Sequence, residues 1–261
     1  KPKRSIELTF FCAYQICNLN ISLEFHIFLF KKLIMLEVFI ISFIQGVTEF
    51  LPISSSSHLI IFSKLLNFTK SNLLFDVSVH IGSFMAVIVF FKDEILRFFL
   101  YRKIFFLILL ASLPTIAAGY LIVVLGLHNK LRVIEVIGWT TIIFGILLFI
   151  SDKFRNEKKL EYDLDFKSSM IIGFFQILSL IPGVSRSGIT LTASRFLKFD
   201  RINAARISFL LSLPTLFAVS SYGLFEIYKT NQLNISEVNI VALLLSFVFS
   251  LITMKLFLKF L

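Results

Sequence analysis

The chain has 261 residues, of which 57% are hydrophobic and only 16% charged, with 33 phenylalanines. A soluble domain of this length carries far more charge, so that class is excluded and an integral membrane protein is expected. The formal charge of +10 does not point to nucleic acid, because Lys and Arg lie mostly between apolar runs, where topology and anionic lipid account for them.

The chain begins with Lys1, and residues 1–34 mix apolar residues with Gln15, Asn18, Asn20, Glu24 and His26. This stretch shows neither a clean span nor a small-residue cleavage site. Met35 precedes the first well-formed apolar pattern, so the membrane domain is expected at 35–261, with 1–34 extraneous or poorly ordered. Cys12 and Cys17 are the only cysteines, and their spacing suggests neither a metal site nor a disulfide framework.

Residues 36–51 read as a helix stopped by Pro52, which removes a donor and disfavours a helical residue before it. A short helix over 58–66 follows. Neither piece spans a bilayer alone, so the pair is predicted to form a hairpin that enters and leaves on one side. Spans are predicted near 73–91, 104–127 and 133–150, each close to the ~20 apolar residues that cross a membrane. A charged loop, 151–167, leads to a second interrupted pair, 168–182 and 187–199. Spans near 207–228 and 236–254 complete the chain. Loops 92–103 and 151–167 are rich in Lys and Arg, which places them in the cytoplasm by the positive-inside bias.

That assignment opens the first hairpin outward and the second inward, so the halves are expected to be inverted repeats, about 35–150 and 168–261. Ser112-Leu-Pro114-Thr115 recurs as Ser212-Leu-Pro214-Thr215, and Gln45…Pro52…Ser54 is echoed by Gln176…Pro182…Ser185. Such repeats put a binding site where their breaks meet. The second half is expected to carry one span fewer than the first.

Two polar breaks hold the candidate chemistry. Gln45 and Glu49, four apart, share a helix face with Ser42 nearby. A single Glu in a span is often a satisfied structural carboxylate. Here it leads into Ser54, Ser55, Ser56, Ser57 and His58, more than helix capping requires. A helix N-terminus favours anions, and an imidazole there suits acid or base work. The second break offers Gly183, Ser185, Arg186, Ser187 and Gly188. An Arg in an apolar run can snorkel to headgroups, but one flanked by glycines and serines at a proline break better fits bidentate phosphate binding. Asp76 and His80 read as a structural pair within a span, and Arg195, Lys198, Arg201 and Arg206 as a cytoplasmic rim. No G-x-S-x-G elbow and no phosphate-binding G-x-x-x-x-G-K-[ST] loop occurs.

These residues resemble the undecaprenyl-diphosphate phosphatase family, the bacitracin-resistance type of membrane enzyme. The resemblance is carried by Gln45-x-x-x-Glu49, by Pro52-Ile-Ser54-Ser55-Ser56-Ser57-His58 and by Pro182-Gly183-Val-Ser185-Arg186-Ser187-Gly-Ile-Thr190, and it runs from about Met35 onward. It implies removal of the terminal phosphate of undecaprenyl diphosphate, recycling the carrier of peptidoglycan synthesis. It also implies bacitracin resistance, an inner-membrane site facing the periplasm, and dependence on Mg²⁺ or Ca²⁺. Gln45 and Ser57 depart from the commoner Glu and Gly of the family, its final helix is not expected here, and residues 1–34 have no counterpart. A second lipid phosphatase family needs a His six residues after the Arg of its Ser-Arg pair; Thr192 and Arg201 stand at the two possible offsets.

The expected protein is thus an all-α polytopic membrane enzyme with inverted-topology repeats and two re-entrant hairpins. Arg186, with Ser54, Ser185, Ser187 and Thr190, is expected to bind the diphosphate. Glu49, with Gln45, is expected to hold a divalent cation or polarise the attacking group. Ser55 is the candidate nucleophile, with His58 as its base or as acid to the leaving phosphate; direct attack by water stays open. The rival readings are a secondary transporter or flippase around a midplane anion site, and an inactive lipid-binding copy.

Overall fold

The computed structural model describes residues 28–65, 73–127, 133–154, 157–231 and 235–261. The chain divides into two compact units, 1–40 and 41–261; the described part of the first is helical, and the candidate site residues all belong to the second. Helix α1 covers 28–48 and gives way to a turn over 49–52. Then come α2 (Ser55–Leu65), α3 (Leu73–Phe90), α4 (Lys92–Leu96), α5 (Phe98–Val124), α6 (Ile134–Asp152) and α7 (Leu160–Asp163). Helix α8 (Phe166–Ile177) ends in a 3₁₀ turn, Leu178–Leu180, and is followed by α9 (Arg186–Phe196), α10 (Arg201–Lys229) and α11 (Glu237–Phe260). Among the described residues the only β-type pairing is an isolated bridge between Lys158 and Phe199.

Among the described residues five helices, α3, α5, α6, α10 and α11, are long and apolar enough to cross a membrane. The protein is therefore an all-α polytopic membrane protein, as composition required. Their outer faces carry large exposed side chains such as Phe106, Trp139, Phe149 and Phe225, which a bilayer would cover. Helix α3 is the hub of one layer, packed against both α10 and α11; α8 packs on α5, and α9 lies among α6, α8 and α10. Close approach is set by small residues. An added Cβ would fall 2.3 Å from the Leu243 carbonyl oxygen at Gly82 and 2.1 Å from that of Ala111 at Gly173, so neither crossing admits a side chain.

Two expectations about loops are corrected. The segment 92–103 is not loop throughout, because Lys92–Leu96 is helical and α5 already begins at Phe98, with Asp93 and Glu94 well placed in the first turn of α4. Residues 151–167 are not a merely solvated loop. Leu160 and Leu164 are buried, and the segment is tied to the end of α9 by backbone bonds between Lys158 and residues 198 and 200. The expected cytoplasmic rim is a set of ion pairs: Arg201 binds Asp152 in a two-point contact, and Arg206 reaches Glu94 and Glu161. Arg195 is buried and donates to the carbonyls of Asp152, Phe154 and Phe199. The expectation for residues 1–34, and both cysteines, falls chiefly on 1–27, outside the described residues.

Candidate active site

Each break is built by a helix that cannot continue. Helix α1 stops four residues before Pro52, and α2 restarts at Ser55, with Ser54 Oγ accepting from the backbone N–H of Ser57 at 3.4 Å. In the second break Pro182 follows the 3₁₀ turn, and Gly183 takes φ +97°, a conformation that side-chain-bearing residues rarely adopt. Helix α9 then starts at Arg186, with Ser185 as its cap accepting from Gly188 N–H at 3.1 Å. The free carbonyls of this break are held by α6. Thr140 Oγ1 donates to the Pro182 oxygen at 2.7 Å, and Thr141 Oγ1 to that of Gly183 at 3.4 Å.

The two breaks meet. Ser187 Oγ and, at 3.4 Å, Ser185 Oγ donate to the Leu51 carbonyl, and a Cβ placed on Gly188 would lie 3.5 Å from the Pro52 oxygen. Across that junction Arg186 donates from Nη2 to Glu49 Oε1 at 2.9 Å. The other carboxylate oxygen, Oε2, accepts from Gln45 Nε2 at 3.0 Å and from Ser55 Oγ at 3.0 Å. The Glu49 side chain is 7% exposed and that of Arg186 15% exposed. An ion pair so withdrawn from water strands a charge if either partner is removed. Thr190 Oγ1 donates to the Arg186 carbonyl at 2.9 Å and to Ser208 Oγ at 2.8 Å, fixing the start of α9 on α10.

A cavity of about 560 Å³ opens on this junction, within the range of small-molecule sites. Glu49, Ser54, Ser55, Ser185 and Arg186 line it, so five of the residues nominated from sequence share one space. Gln45, His58, Ser187 and Thr190 are not among its lining. Gln45 sits behind Glu49 and is fully buried, Ser187 and Thr190 hold backbone, and His58 places Nδ1 2.7 Å from the Ser54 carbonyl. Ser55 bonds to Glu49, and no Ser55–His58 hydrogen bond occurs among the described residues. The remaining wall is largely apolar, with Ile116, Tyr120, Val123, Leu180, Val219 and Tyr222. Sequence reading takes His80 as structural, paired with Asp76, whereas it also lines the cavity; Thr140, which braces the second break, is not singled out by it.

The donor set tests the divalent cation. Among the described residues Glu49 is the only carboxylate lining the cavity, and both its oxygens are engaged by Arg186, Gln45 and Ser55. Among the described residues no group of three His, Cys, Asp or Glu could hold a metal ion. Gln45 offers a buried Oε1 without a hydrogen-bond partner, but it is not on the cavity wall. As they stand, these residues do not fit a protein-held divalent cation.

Comparison with known proteins settles the family. The model of the family described as bacitracin resistance protein BacA matches residues 38–261. The chain belongs to that family. An undecaprenyl-diphosphatase of Pelagibacter ubique is 43% identical over 227 residues, covering 86% of this chain and 88% of that protein. Proteins of the same description from Jannaschia sp. and Campylobacter curvus are 37% and 39% identical, over 86% and 85% of this chain and 89% of each relative. Within this family member, both polar breaks fall inside the matched region.

Proposed function

We propose that the protein hydrolyses undecaprenyl diphosphate to undecaprenyl phosphate and inorganic phosphate, which recycles the lipid carrier of peptidoglycan synthesis and confers bacitracin resistance. The relatives' names support the reaction, and one observation carries the chemistry. Arg186, Glu49 and Ser55 form a continuous hydrogen-bonded chain on the wall of one largely apolar cavity. The guanidinium is the phosphate-binding group, since its planar fork matches two phosphate oxygens and stays charged at any working pH. The apolar wall suits the prenyl chain next to the headgroup.

The arriving diphosphate competes with Glu49 for Arg186. As the guanidinium turns to phosphate, Glu49 loses its compensating charge and becomes a stronger base for the Ser55 hydroxyl already bonded to it. Ser55 Oγ then attacks the terminal phosphorus while its proton passes to Glu49. Ser185 contributes the capped N-terminus of α9 on the same wall, whereas Ser187 and Thr190 act by position, Ser187 tying the second break to the first and Thr190 holding the start of α9 on α10. Gln45 orients the carboxylate. No step passes through the divalent cation that the resemblance implies, because among the described residues Glu49 is the one carboxylate on the cavity wall and no group of three metal-ligating side chains surrounds it.

We read the two helix–break–helix units as re-entrant hairpins of an inverted repeat; the recurrence of Ser-Leu-Pro-Thr with Pro114 and Pro214 each inside a long helix supports this. Basic loops 92–103 and 151–167 support a cytoplasmic assignment for those segments, and the site is assigned to the periplasmic face of the plasma membrane. The test is phosphate release from a polyprenyl diphosphate by purified protein in detergent micelles, expected for the wild type and lost in Arg186→Ala and Glu49→Ala. Transport needs a sealed bilayer and hydrolysis does not, so a folded protein that releases no phosphate in micelles overturns the reading. Trapped phosphate on Ser55 supports the covalent route; one-step inversion at a chiral phosphate would assign the attack to water.

A further inference from the structure

We propose that His80 is a further catalytic residue of this cavity, the proton donor to the oxygen that bridges the two phosphorus atoms of the substrate. The inference rests on the phosphatase reading above. His80 lines the same cavity as Glu49, Ser55 and Arg186, although it comes from α3 and from neither break. Its Nδ1 lies 2.7 Å from the carbonyl oxygen of Asp76, one helical turn back. A carbonyl only accepts, so Nδ1 carries a hydrogen and the ring's working position is Nε2, which has no protein partner among the described residues. The bond to Asp76 also fixes the ring plane. The sequence has four histidines. Of the two that are described, only His80 lines the cavity.

A phosphoryl transfer here needs a second proton-carrying group. Glu49 is committed to Ser55, and Arg186 does not give up its proton. The other titratable side chains on the cavity wall are Tyr120 from α5 and Tyr222 from α10, while Asp76 shares α3 with His80. Of all these types, imidazole alone ordinarily gains and loses a proton near neutral pH.

The steps then balance. In the first, the Ser55 Oγ–phosphorus bond forms as its proton goes to Glu49, and the bond from terminal phosphorus to bridging oxygen breaks. That electron pair stays on the oxygen, which takes the Nε2 proton of imidazolium His80 and leaves as the lipid monophosphate. In the second, water attacks the phosphoserine and gives its proton to His80 Nε2. The Ser55–phosphorus bond breaks, and Glu49 returns its proton to Ser55 Oγ. Inorganic phosphate leaves, and both side chains regain their starting states.

The experiment measures phosphate release from a polyprenyl diphosphate by the full chain in micelles, from about pH 5 to 9. His80→Gln is expected to lower kcat by roughly 10²-fold with little change in KM, the usual worth of a positioned proton donor. It should also abolish the fall in kcat at alkaline pH. His80→Ala should regain part of its rate when imidazole is added, which a packing role would not produce. Size-exclusion elution and a thermal melt of each His80 variant beside wild type separate lost chemistry from lost folding. Wild-type kcat and pH profile in a folded His80→Gln overturns the role of His80 alone. So does a wild-type kcat that does not fall at alkaline pH, and that arm does not depend on the His80 variants folding. Absence of phosphate release by wild-type protein overturns the phosphatase reading, and this role with it.

Discussion

At the residue scale, the candidate site turns on one carboxylate held by three side chains, Arg186, Gln45 and Ser55. Glu49 neutralises Arg186 through Oε1 and bonds Ser55 through Oε2, so in the proposed reaction filling the anion site acts directly on the base that takes the Ser55 proton. A lysine at position 186 keeps the charge but loses the fork. Arg186→Lys is therefore expected to cut phosphate release at least 10²-fold while the protein still elutes as a folded species on size exclusion. Ser187 gives the contrasting case. Its hydroxyl holds the Leu51 carbonyl away from the cavity lining, so Ser187→Ala should cost about 1–2 kcal/mol of stability and reduce activity only in part. Thermal melts beside kinetics separate the two; equal, complete loss of activity in Ser187→Ala with an unchanged melt would move that hydroxyl into the chemistry. Glu49, Ser55 and Arg186 were legible in the sequence because polar groups stand out in apolar runs. The pairing within the set was not. His58 follows Ser55 in the same short motif, yet the hydroxyl bonds a carboxylate six residues upstream, because the turn at 49–52 folds the chain back on itself. His80 lies 31 positions from Glu49, and only helix packing brings it to the same cavity.

At the element scale, the second break is the more tightly specified. Gly183 combines φ +97° with a Cβ position only 1.9 Å from Thr140 Oγ1. Gly183→Ala is expected to cost about 1–3 kcal/mol from backbone strain alone, before any displacement of α6. A melt within experimental error of wild type would contradict this account. Asp165, the cap just ahead of helix α8, offers a pH-dependent case outside the membrane-spanning segments. It caps the helix by accepting from Ser168 N–H at 2.8 Å, and hydrogen bonding from the Ser168 side chain and then from its backbone holds the carboxyl below the usual aspartate range. A folded-state pKa below the unfolded one stabilises above the unfolded value, and the gain is lost as pH falls through the folded value. Asp165→Asn should keep a cap but lose that acid-side pH dependence; Asp165→Ala should lose about 1 kcal/mol at neutral pH. Urea or thermal unfolding at pH 3 and pH 7 measures both. The five spans and both breaks were readable within a few residues, since length, hydropathy and Pro52 or Pro182 impose them. The helical pieces in 92–103 and 157–164 were hidden by charge, because Lys and Glu are good helix formers as well as loop residues.

At the scale of the whole molecule, α6 has a role its sequence does not advertise. Only 11% of its apolar window is buried within the protein, yet Thr140 and Thr141 hold the carbonyls beside Arg186. A threonine in an apolar helix usually satisfies itself on its own preceding turn, and Thr140 does so too, with a bond to the Val136 carbonyl at 2.7 Å. The backbone beside Arg186 is thus braced by a helix whose surface the protein leaves largely uncovered. Bilayers that are too thin or too thick tilt such a helix at modest cost, fractions of a kcal/mol per Å of mismatch. Turnover in vesicles should accordingly vary with acyl-chain length, and Thr140→Val, which severs the tether, should flatten that dependence. A membrane's thickness, set by growth temperature and lipid supply, would then tune how fast the carrier lipid is returned to use.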